Sequence, residues 1–272
     1  MASKKKKNIE SNNAAETSPL VATGYNGNWE RSSQKLIDLN CDMGEGIASD
    51  KLIMPFINSA NIACGYHAGD EKTMKKTVEL ALKNNVRIGA HPSYLDRENF
   101  GRTDIRLPLQ ELYDLVTTQI YILDKIVKAA GSSLHHVKPH GALYNMAARA
   151  KPRAAVVALA IKDVDDKLVL YGLSGSHSIS EAKKIGVKTA SEVFADRTYQ
   201  DNGALTPRSQ PNALIEDTDK VIAQVLQMIK QGTVTTVSEK IIPIIAETVC
   251  IHGDGEHAVA FAKAIHKAVK GT

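Results

Sequence analysis

Residues 36–46 read LIDLNCDMGEG, and this stretch decides the fold class. It opens as an apolar strand, Leu36–Asn40, and runs directly into polar residues that include Asp42 and Glu45. A dinucleotide-binding sheet would instead place a glycine-rich phosphate turn after its first strand. No GxxxxGK[ST] phosphate loop occurs anywhere in the chain. The stretch therefore argues against an open nucleotide-binding sheet and favours a strand whose end carries chemistry.

Further strand-type runs follow the first one, and helical patterns separate them. The predicted strands are Leu36–Asn40, Asn61–Gly65, Arg87–His91, Leu134–His140, Leu168–Leu173, Val187–Ala195 and Val249–His252. Parallel neighbours need crossover helices, so this alternation predicts an α/β protein with a parallel sheet. Nearly every run ends in polar residues, which is typical of a barrel whose loops all feed one face. We predict a seven-stranded, TIM-like β/α barrel.

The helical patterns support the same architecture. Asp70 stands as an N-cap before an apolar stripe that includes Met74 and Val78. The longest amphipathic pattern runs over 109–127, and Gly131 ends it. The remaining predicted helices cover 154–161, 178–185, 219–230 and 256–269.

Composition bounds the domain organisation and the partners. Residues 1–33 are polar and lack an apolar period, so we expect a flexible tail there and a single barrel domain over 34–272. That tail supplies +2 of the formal net charge of +4. The body is nearly neutral and has no basic stripe, so neither nucleic acid nor a membrane surface is expected as a partner. Lys4–Lys7 is interpreted as a solvated terminus.

The cysteines indicate the compartment. The chain has three of them, with no CxxC pair and no secretory signal. We therefore predict a cytoplasmic protein. Cys41 and Cys64 sit in polar strand-end motifs and could act as nucleophiles, but small buried thiols are the better interpretation.

A dense polar set lies at the predicted strand ends. Its members are Asp38, Asn40, Asp42, Glu45, Asn61, His67, Asp70, His91, Asp96, Lys138, His140, Asp196, Arg197, His252 and Asp254. A single such histidine would usually be structural, but histidines at several strand ends, each beside Gly or Pro, indicate a pocket. There is no HExxH helix and no GxSxG elbow. Zincin and α/β-hydrolase mechanisms therefore have no support.

Two chemistries fit this set. Carboxylates and imidazoles could bind a divalent metal and activate water, or they could act as general acid and base without a metal. Lys138 and Arg197 suit a carboxylate, a phosphate or an oxyanion. All of these alternatives describe hydrolysis at a polarised carbonyl.

Long motifs then give a specific resemblance. They are IDLNCDMGEG, MPFINSANIACGYHAGD, IGAHPSYLDRENFGR, HVKPHGALYN, EVFADRTYQDNGALTPRS and VCIHGDGEHAV. With these motifs the sequence resembles the LamB/YcsF lactam-utilisation family over its whole body. The resemblance implies a distorted, seven-stranded β/α barrel similar to the glycoside hydrolase/deacetylase superfamily. It also implies a role as the A component of a 5-oxoprolinase, a cyclic-amide hydrolase that opens the 5-oxoproline (pyroglutamate) lactam to glutamate. ATP would be the co-substrate, subunits B and C the partners, and a divalent metal an open alternative.

The resemblance also carries over individual motif residues, whose roles we infer from their chemistry. As catalytic residues we predict Asp38, Asp42, His67 and His140. As substrate-binding residues we predict Asn40, Glu45, Asn61, His91, Lys138, Asp196, Arg197, Arg208, His252 and Asp254. The family usually has GFGRR where this chain has 99–103 as NFGRT, so one basic residue is lost here. The alternative function is a metal-dependent, deacetylase-like hydrolase acting on carbohydrate.

Overall fold

A computed structural model describes residues 37–253 and 257–270. In chain order its elements are β1 (Asp38–Met43), α1 (Asp50–Ile53), β2 (Ser59–Ala63), α2 (Glu71–Lys83), β3 (Arg87–His91), α3 (Leu109–Ala129), β4 (His136–Val137), α4 (Gly141–Arg149), α5 (Lys151–Val164), β5 (Val169–Leu173), α6 (His177–Lys184), β6 (Lys188–Phe194), α7 (Thr218–Gln231), β7 (Thr233–Thr235), β8 (Ile241–Pro243), β9 (Thr248–Ile251) and α8 (Ala258–Lys270). None of these helices is long and apolar enough to cross a membrane. The predicted tail, residues 1–33, lies outside the described residues.

The strands close into a seven-stranded parallel barrel in the order β1-β2-β3-β4-β5-β6-β9. Closure comes from β9, which pairs with β1 on one side and with β6 on the other. The short strands β7 and β8 form a separate antiparallel pair. The predicted seven-stranded β/α barrel is confirmed.

Apolar and polar residues alternate along β1 because its two faces have different surroundings. Leu39, Cys41 and Met43 belong to the hydrophobic core. The polar residues between them bond to neighbouring strands: Asn40 to Thr248 of β9, and Asp42 to Asn61 of β2. Because successive side chains of a strand point to opposite faces, one face packs on helices and the other lines the barrel interior with polar groups.

Most predicted elements occur within a few residues of their predicted bounds, and the differences have local causes. The predicted strand 134–140 is reduced to β4, because Pro139 has no N–H for a ladder and Gly141 already begins α4. Helix α4 was not predicted, since no side chain caps its start. Strands β7 and β8 have three residues each, too few to show a period.

Candidate active site

A cavity of about 540 Å³ opens at the carboxyl ends of the barrel strands. Its lining includes Asp42, Glu45, His91, Lys138, His140 and His252. Each of these residues lies at or just after a barrel strand, as the strand-end pattern predicted. Barrel closure thus gathers residues that are far apart in the sequence.

Four side chains on one side of the cavity converge on a common point. We call this group the histidine cluster: Glu45, His67, His91 and His140. Glu45 Oε1 lies 3.0 Å from His67 Nε2, 3.8 Å from His91 Nε2 and 3.5 Å from His140 Nδ1. The rings of His67 and His140 stack with centroids 3.8 Å apart.

The hydrogen bonds made by the outer ring nitrogens determine the tautomers of these histidines. His91 Nδ1 donates to the Lys138 carbonyl at 2.6 Å, and His140 Nε2 donates to the Phe100 carbonyl at 2.9 Å. The Ser93 hydroxyl donates to the Tyr94 carbonyl, so its oxygen accepts from His67 Nδ1 at 2.9 Å. In the neutral rings, the three inner nitrogens are therefore bare acceptors turned towards the Glu45 carboxylate.

This arrangement fits a first-row divalent metal. Burial lowers the pKa of His67 to about 3 and holds the pKa of His140 well below its ordinary value. Neutral imidazoles are the form that binds metal, and hydrogen bonds from their outer N–H groups are the usual support of such ligands. The inner nitrogens of His91 and His140 lie only 2.9 Å apart. Two acceptors this close require a proton or a cation between them. The cluster could therefore hold one metal ion.

A second group, the lysine cluster, lies beside the first and consists of Lys138, Asp42, Glu192 and Cys250. Lys138 Nζ is 2.9 Å from Asp42 Oδ1, 2.9 Å from Glu192 Oε1 and 3.0 Å from Cys250 Sγ. Burial opposes the charge of Lys138, but the nearby carboxylates outweigh it and raise its pKa well above the ordinary value. Lys138 is therefore a buried cation between two carboxylates.

Asp42 joins the two clusters. Its Oδ1 accepts from Asn61 Nδ2 at 2.8 Å, while its Oδ2 lies 3.3 Å from His91 Nε2. Burial would raise its pKa, but the charges of His91 and Lys138 hold that pKa well below the ordinary value. Asp42 is consequently an anion that fixes charge in the site.

Opposite the histidine cluster, Asp196 and His252 form a carboxylate–imidazole pair. His252 Nδ1 lies 2.8 and 3.0 Å from the two Asp196 oxygens. A proton held on Nδ1 leaves the other ring nitrogen, Nε2, as an acceptor. Arg197 and Arg208 line the same cavity. Arg197 is anchored by donating to the Ala213 and Thr206 carbonyls.

Other predicted site residues lie elsewhere. Asp38 is at the opposite, amino end of β1, where it accepts from Ser59 and Thr248. Asp70 caps α2 through the Thr73 amide, as predicted. Asn40 and Asn61 are fully buried in the barrel below Asp42 and bond to each other. Asp254 lies outside the described residues.

The structure also places Asp96, the 99–103 segment and the cysteines. Asp96 accepts from Asn99 and from the Thr103 amide. Where the family has a second arginine, Thr103 is exposed and contacts Asp96 through both its backbone and its side chain. The cysteines are free and buried. Burial raises the pKa of Cys64 to about 12 and that of Cys41 well above its ordinary value, which supports buried thiols.

Sequence reasoning missed several residues of the site. Glu192 carried no strand-end signal because it lies inside β6, yet it is fully buried against Lys138. Tyr144 and Arg149 lie on the unpredicted α4 and line the cavity. Arg149 pairs with Asp104, which also lines the cavity. His177 opens α6 at the cavity edge and could have been found from its SGSH turn.

Comparisons with known proteins agree with this geometry. The 5-oxoprolinase A subunit of Brevibacillus brevis is 53% identical over 242 residues, covering 87% of this chain and 95% of the relative. The protein of the same name from Shouchella clausii is 56% identical over 232 residues, covering 84% and 92%. The crystal structure of a lactam utilization protein from Thermus thermophilus is 38% identical and covers 86% of this chain and 96% of its own, with a TM-score of 0.80. The model of the LamB/YcsF family matches residues 37–272, and the chain belongs to that family.

Proposed function

We propose that this chain is the A component of an ATP-dependent 5-oxoprolinase, which opens the 5-oxoproline lactam to glutamate together with subunits B and C. The observation that carries the proposal is the near-full-length match, 53% identical over 95% of a relative named as the A subunit of 5-oxoprolinase. The cavity supports it, since carboxylates, imidazoles and cations line it together. We place the reaction in the cytoplasm, consistent with buried free thiols.

A lactam is a resonance-stabilised amide and a poor electrophile. Coupling to ATP is explained if the carbonyl oxygen first takes the terminal phosphoryl group of ATP, which releases ADP. Water can then add to the activated imidate carbon, and the ring C–N bond breaks as the nitrogen takes a proton. Hydrolysis of the acyl phosphate that results, by a second water, releases phosphate and glutamate. We propose that Arg197 and Arg208 bind the substrate carboxylate or the phosphoryl group, since guanidinium groups match such anions. Lys138, fixed between two carboxylates, stabilises negative charge that develops at the reacting carbon's oxygen.

We assign the general base to His252. Asp196 holds its Nδ1 proton, so Nε2 is free to take a proton from water. His67 and His140 have their inner nitrogens directed at Glu45, and we assign them with His91 to metal binding. Asp42 is assigned an electrostatic role between the two clusters, and Asp38 a structural role at the barrel's amino end.

We propose that Glu45, His67, His91 and His140 hold one divalent metal ion, with Zn²⁺ as the reference. When bound, such an ion would polarise an oxygen of the substrate or lower the pKa of water. Elemental analysis of purified protein tests this directly. One equivalent of metal in the wild type and loss of it in Glu45→Gln supports the site, whereas equal content in both contradicts it.

The activity test compares glutamate formation from 5-oxoproline and ATP by this protein alone, by subunits B and C alone, and by all three. We expect glutamate only in the complete mixture. His252→Gln should abolish it, while His257→Gln, which alters an exposed histidine at the start of α8, should leave it unchanged. A complete mixture that stays inert, or a fully active His252→Gln, contradicts the proposal or the assignment of the base, respectively.

The histidine cluster also favours a second candidate, the metal-dependent deacetylase-like hydrolase. Its distinguishing feature is turnover by the isolated chain. Release of acetate from N-acetylated oligosaccharides by the metal-loaded protein alone, with no glutamate from the complete mixture, would favour this candidate. Absence of acetate together with glutamate formation would eliminate it.

A further inference from the structure

In the loop after β3, Phe100 contacts the His140 side chain, and its backbone is in the left-handed region with a φ of 55°. Non-glycine residues rarely adopt this conformation, apart from Asn and Asp. The other non-glycine residues with positive φ in the described chain are Asn85, Asn212 and Glu239, none of which lines the cavity. Phe100 does line it. The unfavourable conformation at this position therefore calls for a local explanation.

The contacts of Phe100 supply that explanation. Its carbonyl accepts from His140 Nε2 at 2.9 Å. Its ring meets those of His67 and His140 edge-on, with centroids 5.5 and 5.4 Å away. One residue thus contacts His140 through both its backbone and its side chain.

The surrounding loop is built to keep this turn in place. Gly101 N donates to the Asp96 carbonyl at 2.7 Å, and Ala142 N donates to the Gly101 carbonyl at 2.9 Å. Arg97 ties the loop to the segment after β2 by donating to the Gly65 and Gly69 carbonyls. A Cβ at Gly101 would come within 2.9 Å of the His140 ring, so the turn also requires glycine there.

We infer that Phe100 is a positioning residue, whose left-handed carbonyl keeps the proton of His140 on Nε2 and so leaves Nδ1 as an acceptor inside the histidine cluster. A bare Nδ1 is what a metal ligand or a proton acceptor needs at this position. If the peptide rotated, His140 Nε2 would lose its acceptor, and either nitrogen could carry the proton. The consequence for turnover rests on the proposed function, whereas the tautomer itself does not.

Two substitutions separate the carbonyl from the ring. Phe100→Gly removes the ring but favours the left-handed backbone, whereas Phe100→Val opposes that backbone because a β-branched residue is strongly disfavoured there. Asn85→Val is the matched control: it places the same strain at a left-handed residue, with a φ of 57°, outside the cavity lining. Circular dichroism checks that each variant folds.

The readout is ¹⁵N NMR of the histidine rings in metal-free protein, with His140 assigned from its loss in His140→Gln. We expect His140 to be protonated on Nε2 in the wild type, in Phe100→Gly and in Asn85→Val, and to mix tautomers in Phe100→Val. In the complete three-subunit assay, kcat should fall about 10- to 100-fold in Phe100→Val with little change in KM. An unchanged His140 signal in Phe100→Val, or equal loss in Phe100→Gly, would overturn the inference even if the wild-type mixture proved inert.

Discussion

At the scale of single residues, Lys138 shows how the site stabilises a buried cation. Lys138 is 2% exposed and its ammonium lies between Asp42 and Glu192, so removing it leaves two buried carboxylates without their cation. We expect Lys138→Met to lower the free energy of unfolding by about 3–5 kcal/mol and to abolish turnover. Urea denaturation measures the first effect. Lys184→Met, which breaks an exposed ion pair with Glu181, serves as the control and should hardly change the midpoint.

Ser93 is a second informative residue, because it supports His67 without lining the cluster. Its hydroxyl accepts from His67 Nδ1, and its backbone is clamped by two hydrogen bonds with Gln119. Ser93→Ala should therefore leave the fold intact but weaken metal binding about 10- to 100-fold. Competition with a chelator of known affinity measures the change. Ser133→Ala alters a serine outside the site, and an equal effect there would contradict the assignment.

At the scale of elements, the packing of β3 against β4 sets the interior of the barrel. Gly89 of β3 pairs with His136 of β4, and a Cβ at Gly89 would lie 2.2 Å from the His136 ring. That ring is stacked on Tyr171 and bonded to Asn61, so it has little room to move. Strand β3 therefore requires glycine at position 89 as well as its apolar residues.

We expect Gly89→Ala to destabilise the fold by about 3 kcal/mol, at the upper end of overpacking effects. A double-mutant cycle with His136→Ala tests the cause. In the His136→Ala background the penalty of Gly89→Ala should shrink by more than about 1 kcal/mol, because the two residues are in contact. Additive effects would show that the ring is not the obstacle.

At the scale of the whole molecule, the family match begins at residue 37, where the barrel also begins. The polar segment 1–33 stays a predicted tail. Deleting residues 1–33 should leave the Tm and the turnover of the complete mixture unchanged, as measured by calorimetry and glutamate formation. A lowered Tm would mean that the segment packs on the barrel.

Much of the architecture was already determined by the sequence. Apolar runs separated by helical patterns indicate parallel β/α units, and the alternation in LIDLNCD gives β1 one face for the core and one for the interior. These signals are local, since each depends on residues a few positions apart. Polar residues at strand ends likewise indicated where the cavity would be, and the motifs indicated the family.

Only the tertiary structure decided which of those residues meet. Asn40 bonds to Thr248, 208 positions away, because β9 closes the barrel against β1. The same closure brings Lys138 between Asp42 and Glu192. Asp38 and Asp42 share one face of β1, yet they lie towards opposite ends of the barrel and have different neighbours. The tautomer of His140 depends on the Phe100 carbonyl, a loop conformation that no periodicity encodes. Such contacts are products of chain closure and backbone conformation, so they become visible only when the barrel is complete.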